Sequence, residues 1–364
     1  MPDTLLPASG YFTDALRTNG EAKQAQDDLL DYLVERFGNL DGVIDFGARS
    51  LINLGELAGV QSLNGGALSA NRSLVINAGC RVATRTAPLL TNAFIYGKVD
   101  RFAAKADGTV GSGAVDQVVS NFLGSSGYVL HLRNVSLSGG AEALYARYRM
   151  EARDAVFYKD KSVVVHWKVF HDFAAPTDFT LTVFKANAAD NFSALTQIAQ
   201  SAAQSVAPGA AGQIELTVAD MEDCSNGVEI VISAACGAIA NKNLYLTELV
   251  MEPGDTKTPF IEPPLSLVEA ACKRYARWLP YDLIFNSAGP SGTFILPMSF
   301  EIPFRAAPTV GALTGDPALS QTAINNSTND FTNLRPDRAA LRAVATAAGL
   351  YQVTGFRALA TAEL

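Results

Sequence analysis

Along the middle of the chain, apolar and polar side chains alternate with a period of two. Leu144, Ala146, Tyr148 and Met150 interleave with Tyr145, Arg147, Arg149 and Glu151. Phe179, Leu181 and Val183 interleave with Thr180 and Thr182, and Ile214, Leu216 and Val218 with Gln213, Glu215 and Thr217. Val228, Ile230 and Ile232 continue the pattern after an Asn226-Gly227 turn. Successive side chains of a strand point to opposite faces, so this alternation predicts strands with one face buried. Short strands at such spacing, separated by Gly, Asn, Asp and Pro, predict a mostly β chain with a two-sheet sandwich at its centre. Ala194 to Ala211, rich in Ala, Gln and Ser, interrupts the alternation and reads as a loop with a helical turn.

The flanks read differently. Glu21 to Phe37 has helical spacing, with Leu30, Leu33, Val34 and Phe37 on one stripe and Gly38 as the C-terminal cap. So short a helix needs something to bury its stripe. That cover is either its own protein or a partner, which makes residues 1–40 a candidate attachment and oligomerisation segment. Residues 41–75 read as a linker, 76–264 as the sandwich, and 265–364 as a second, smaller β-rich domain. Pro253, Pro259, Pro263 and Pro264 mark the exit from the sandwich, because proline donates nothing to a ladder. A short helix from Ser266 to Trp278 follows, with Ser266 as cap and Glu269 at the capping-box position.

Composition narrows the function. The net charge is −8 and no basic run occurs, which excludes a nucleic-acid binder of the ordinary kind. Charged residues are only 18% of the chain, so its polar surface comes largely from Ser, Thr, Asn, Gln and Gly. The longest apolar stretches fall short of the ~20 residues of a membrane span, so no membrane insertion is expected. The acidic start at Met1-Pro2-Asp3-Thr4 lacks the basic region and apolar core of a signal peptide, so the chain is expected to be made in the bacterial cytoplasm. Cys80, Cys224, Cys236 and Cys272 form no CxxC pair. Cys224 and Cys236 either pair across neighbouring strands or stay, like the others, buried free thiols.

The chemistry-bearing residues are few. His166 and His171 lie five apart in one strand pattern and so point to opposite faces, which keeps them from sharing a metal. No metal or other cofactor is expected. No Gly-x-Ser-x-Gly elbow and no phosphate loop occur, and Gly108 to Gly113 and Gly124 to Gly127 read as turns. Glycoside hydrolysis needs two carboxylates at a set separation. Asp172, Asp178, Asp220, Glu222 and Asp223 are available, but acids beside turns are ordinarily capping or solvated. Sugar binding needs aromatic rings with Asn, Asp or Gln beside them. Two stretches have that composition: Trp278, Tyr281, Asp282 and Asn286, and the loop with Asn329, Phe331 and Asn333.

The run Leu246 to Phe260, with Glu252-Pro253-Gly254 and Thr258-Pro259-Phe260, resembles the last strand and exit of a jelly-roll module of phage tail fibres. Cys272-Lys273-Arg274-Tyr275 matches the Cys-x-Arg-Tyr that ends the next helix in that family, although Ala276 stands where the family shows a second aromatic. Phe300, Pro303, Phe304, Arg305, Pro308 and Thr309 are similar to its Phe-x-x-Pro-x-Arg-x-x-Pro-Thr region, and Ala362-Glu363-Leu364 to common fibre endings. The likeness is strongest over residues 225–310. It implies a jelly roll like that of carbohydrate-binding modules, a homotrimer, other particle proteins as partners through the N-terminus, and no catalytic residues. The expectation is a virion fibre or spike subunit on the outside of a phage or phage-like particle, binding a host surface polysaccharide. The alternatives are a structural connector or head-decoration protein, and a capsule-degrading hydrolase.

Overall fold

A single long hairpin organises the protein. The computed structural model describes residues 62–63, 66–67, 73–120, 123–287, 293–310, 330–332, 335–344 and 349–364. The expected helix with Leu30, Leu33, Val34 and Phe37 lies outside these residues. A small ladder joins β1 (Ser62–Leu63) to β2 (Gly66–Ala67). The short β3 (Ile95–Tyr96) precedes the hairpin of β4 (Phe102–Val119) and β5 (Tyr128–Met150), followed by the helical turn α1 (Ala152–Ala155). Next come β6 (Val163–His171), β7 (Thr177–Ala188), β8 (Asn191–Gln200), β9 (Gln204–Val206), β10 (Ala211–Val218), β11 (Val228–Ala235) and β12 (Ile239–Pro253).

The hairpin belongs to two layers. The first half of β5 pairs with β12, from Leu130 with Leu246 to Leu137 with Ile239. Its second half pairs with β11, from Leu144 with Ala234 to Met150 with Val228. One layer therefore runs β10-β6-β12-β5-β4, and the other β4-β5-β11-β7-β8 with β9 beside β7. All these pairings are antiparallel. The hairpin bends where register shifts occur between Asp107 and Ala114. Gly108 has φ +103° there and Gly139 opposite has φ +134°. Both φ values lie where only glycine is at ease, so the bend requires glycine on backbone grounds, and a Cβ at either position would also displace the Glu142 side chain. Gly108 to Gly113 thus lies inside a bulged strand, not in a turn as the sequence alone predicts.

The alternation read from the sequence becomes the core. Val163, Val165, Trp167 and Val169 of one layer meet Phe179, Leu181, Val183, Ile230 and Ile232 of the other in one buried cluster. Phe102 and Trp167 bridge the layers with ring centroids 5.7 Å apart. Ala194 to Ala211 is not a loop with a helical turn: β8, β9 and their connection occupy it. Small polar residues mislead here because β8 is an edge strand with little core to face, and its burial does not alternate cleanly.

The chain then crosses the outer side of the first layer as an extended strap. Thr258 donates from N (2.5 Å) and Oγ1 (2.7 Å) to Glu252, and Lys257 pairs with Glu215. The helix α2 (Leu265–Cys272) is shorter than predicted, and its N-cap is Pro264, not Ser266. It buries Val268 and Cys272, whereas Leu267 is 61% exposed. The remaining strands are β13 (Ala276–Ser287), β14 (Thr293–Ser299), β15 (Thr309–Val310), β16 (Asp330–Thr332), β17 (Arg338–Val344) and β18 (Gly349–Thr361). They form two antiparallel sheets of three strands, β13-β18-β15 and β14-β17-β16.

A buried charged clasp joins these strands to the sandwich. The Arg101 guanidinium lies 3.5 Å from the Tyr275 ring centroid and donates to Glu363 Oε2 at 2.6 Å. Arg85 pairs with Asp100 at 3.0 Å and also with Glu363. Tyr96 Oη and Arg149 donate to the main-chain oxygen of Leu364 at 2.7 and 2.8 Å. Arg305 reaches Glu151 at 3.1 Å, and Arg277 lies over Phe300 and Phe304. Tyr275, Arg305 and Glu363, each part of a motif singled out in the sequence, all take part in this junction, whereas Phe304 packs with Leu279 and Ala360 within the C-terminal strands.

Candidate carbohydrate-binding face

The first layer turns its odd-numbered β6 side chains inward, so Lys168 and Phe170 fall on the outer face. Registers carry that face across four strands. Asp116 of β4 stands opposite His131 of β5, His131 opposite Tyr245 of β12, and Tyr245 opposite Phe170 of β6. With strands about 4.8 Å apart, this row spans about 14 Å. The His131 and Tyr245 rings stack at 4.3 Å with planes 10° apart, and Tyr245 meets Phe170 edge to face at 5.6 Å. All three are partly exposed. The neighbours before and after them along each strand, Leu130, Leu132, Leu244, Leu246 and Val169, are core. The row is therefore an aromatic ridge on a rigid sheet.

Polar groups border the ridge and are fixed by one another. Asn243 accepts from His131 Nε2 (3.0 Å) and from the Asn134 backbone (3.0 Å) through Oδ1, and donates to Asp172 from N (2.6 Å) and Nδ2 (2.7 Å). That bond requires the proton of His131 on Nε2, and burial holds the imidazole below its ordinary value, so it is neutral at pH 7. Burial pushes the Tyr245 phenol up, with Asp172 adding to it, so the hydroxyl keeps its proton as a donor. Asp116 pairs with Lys98 at 3.2 Å and Arg133 at 2.9 Å. Burial opposes its ionisation, but the Gln117 backbone N–H and the two cations outweigh burial and hold the carboxyl below the usual range. One row further along β6, Lys168 pairs at 2.6 Å with the buried Glu248, which sits at φ +53° in a β12 bulge. A preorganised apolar ridge with fixed polar neighbours offers C–H contact and hydrogen bonds together, the combination a sugar needs.

The residues singled out from sequence lie elsewhere. Trp278, Tyr281, Asp282 and Asn286 belong to strand β13, with a register shift at Asp282. Trp278 donates from Nε1 to Thr84 O at 2.9 Å, which ties β13 to the sandwich. It lines a cleft of about 680 Å³ with Thr84, Glu269, Lys273, Arg277 and Glu301. Phe331 is in β16, and Asn329 and Asn333 lie outside the described residues. Tyr275 is fully buried on Arg101.

The acids weighed for hydrolysis mostly have structural partners. Asp172 holds Asn243, Asp220 accepts from the Glu222 backbone at 2.7 Å, Glu222 pairs with Lys185, and Asp223 with Lys159. His171 faces inward against Phe173 and Phe179, and His166 is on the opposite face among Val164 and Val250. Among the described residues no three of His, Cys, Asp and Glu stand where they could hold a metal ion. Cys80, Cys224, Cys236 and Cys272 are free thiols, so Cys224 and Cys236 are not paired.

No family model and no curated protein matches the chain. Solved structures match part of it. The carbohydrate-binding module TmCBM61, in complex with β-1,4-galactotriose, aligns with 50% of this chain and 100% of its own at 10% identity and TM-score 0.31. A carbohydrate-binding module of the β-sandwich superfamily aligns with 51% of this chain and 64% of its own at 11% identity and TM-score 0.35. The enzymatically active domain of tailspike protein 4 of bacteriophage CBA120 aligns with 42% of this chain and 19% of its own at 9% identity and TM-score 0.29.

Proposed function

We propose that this chain is a non-enzymatic carbohydrate-binding subunit on the exterior of a phage or phage-like particle, and that it engages host surface polysaccharide through the outer face of its first layer. The observation that carries this reading is the ridge of His131, Tyr245 and Phe170 with its fixed polar border. The place on a particle is supported by the sequence motifs between residues 246 and 309. A single face of this size binds sugar weakly, and many copies on one particle raise avidity without new contacts.

The test is a glycan array probed with the full chain and with Tyr245→Ala, with folding checked by near-UV circular dichroism. Retention on a defined set of polysaccharides that is lost in Tyr245→Ala supports the reading. Absence of any glycan binding rejects it. Reducing ends released from host capsule by the purified chain would replace it with a hydrolase.

A further inference from the structure

We infer that the polysaccharide bound at this face is anionic, carrying sugar carboxylates or phosphodiesters. The inference rests on the ridge being the glycan site and adds the class of sugar.

In each ion pair beside the ridge the cation is the more exposed member. Arg133 is 43% exposed, Lys98 38% and Lys168 36%. Their acid partners are withdrawn: Asp116 is 19% exposed and Glu248 only 1%. Asp172 accepts from Asn243 N and Nδ2, and its charge is felt at Tyr245. A ligand on the ridge meets the cation of each ion pair before its acid. The positions surround the row. Arg133 is two residues from His131 on β5, Lys168 is two from Phe170 on β6, and Lys98 stands at the Asp116 end. Two residues along a strand is about 7 Å, within the reach of a substituent on a sugar lying over the rings.

The rest of the molecule makes this local sign informative. With a net charge of −8, the protein as a whole repels a polyanion. An outward cationic rim around an aromatic row runs against that background. Guanidinium and ammonium groups are the donors that pair most strongly with carboxylate and phosphate. Lys98 and Arg133 share the half-buried Asp116, and Lys168 has the buried Glu248, so each cation has an acid that positions it before a ligand arrives.

The experiment is affinity electrophoresis of the full chain in gels containing polygalacturonate, hyaluronate or a phosphomannan. Carboxyl-reduced polygalacturonate and hyaluronate and dephosphorylated mannan serve as neutral counterparts. Retardation by at least one acidic polymer is expected, at least tenfold weaker on its neutral counterpart and reversed by 0.5 M salt, because screening shortens the reach of exposed charges. Arg133→Gln should weaken retardation several-fold and Arg133→Lys should restore most of it, a rescue that a purely structural role would not give. If neutral polymers retard the chain as strongly as acidic ones, or alone, and Tyr245→Ala abolishes this, the anionic class is wrong and the ridge stands. If none of the six polymers, and no glycan on the array, is held in a Tyr245-dependent way, both fall.

Discussion

Replacing Glu363 by glutamine leaves the size of the side chain almost unchanged and removes one charge from the junction. In the folded chain that carboxylate faces two guanidinium groups, Arg101 with a fully buried side chain and Arg85 with one 8% exposed. Arg85 retains Asp100 at 3.0 Å. Arg101 retains only neutral groups, the Arg149 carbonyl at 2.5 Å and the rings of Tyr275 and Tyr148. Removing one partner of a buried pair costs about 3–5 kcal/mol because the other charge stays buried without compensation. The surviving partners of Arg101 place Glu363→Gln near the lower end, about 3 kcal/mol. At about 1.4 kcal/mol per tenfold, that is a change of roughly a hundredfold or more in the equilibrium that docks the C-terminal sheets on the sandwich. The chain has two tryptophans, Trp167 in the sandwich core and Trp278 at the junction. Urea titrations of Trp167→Phe and Trp278→Phe backgrounds therefore report the two regions separately. The Trp278 transition should move to lower urea in Glu363→Gln, and the Trp167 transition much less. Exchanging the pair, Glu363→Gln with Arg101→Met, should recover much of the loss, since the unpaired charge is then gone. A Glu363→Gln shift below about 0.5 kcal/mol, the range of ordinary surface changes, or a double variant worse than the single, would refute the clasp.

Burial holds the imidazoles of His131, His166 and His171 below their ordinary values; for His166, Glu252 and Glu215 oppose the effect and Lys257 reinforces it. The unfolded chain takes those protons near pH 6.5 and the folded chain does not, so stability is full above about pH 6.5 and falls as pH drops through it. Asp100, whose carboxyl is pushed up to about 6 by burial, acts in the opposite sense below that pH, so the urea midpoint should fall most steeply between pH 7 and 6 and less in His166→Leu. Gly139→Ala should destabilise by at least about 1 kcal/mol in the same titration, because the position needs a left-handed φ and its Cβ meets Glu142. Burial pushes the Cys80 thiol up to about 12 and the Cys224 and Cys236 thiols to about 11. A thiol reagent at pH 7.5 should therefore label native chain slowly, beginning with the part-exposed Cys236, and label all four sites only in urea.

The period-two alternation was enough to determine a mostly β chain, because a half-buried strand dictates side-chain polarity residue by residue: Leu144, Ala146, Tyr148 and Met150 are buried as their spacing requires. The motifs near Tyr275 and Phe304 were visible as patterns, but their role was not. Arg101, Tyr275 and Glu363 are far apart in sequence, and their encounter depends on how β13 and β18 dock. The candidate face was still less legible. Phe170 and Tyr245 carry one local signal, an aromatic ring at the outward parity of a strand whose inward positions are already apolar. What brings them onto one face is register. His131, Tyr245 and Phe170 come from strands separated by some 75 and 114 residues, and one residue of slip would turn a ring into the core. Ladder pairing is a long-range choice made by the packing of two whole layers, so only the tertiary structure decided which aromatic side chains would share a face.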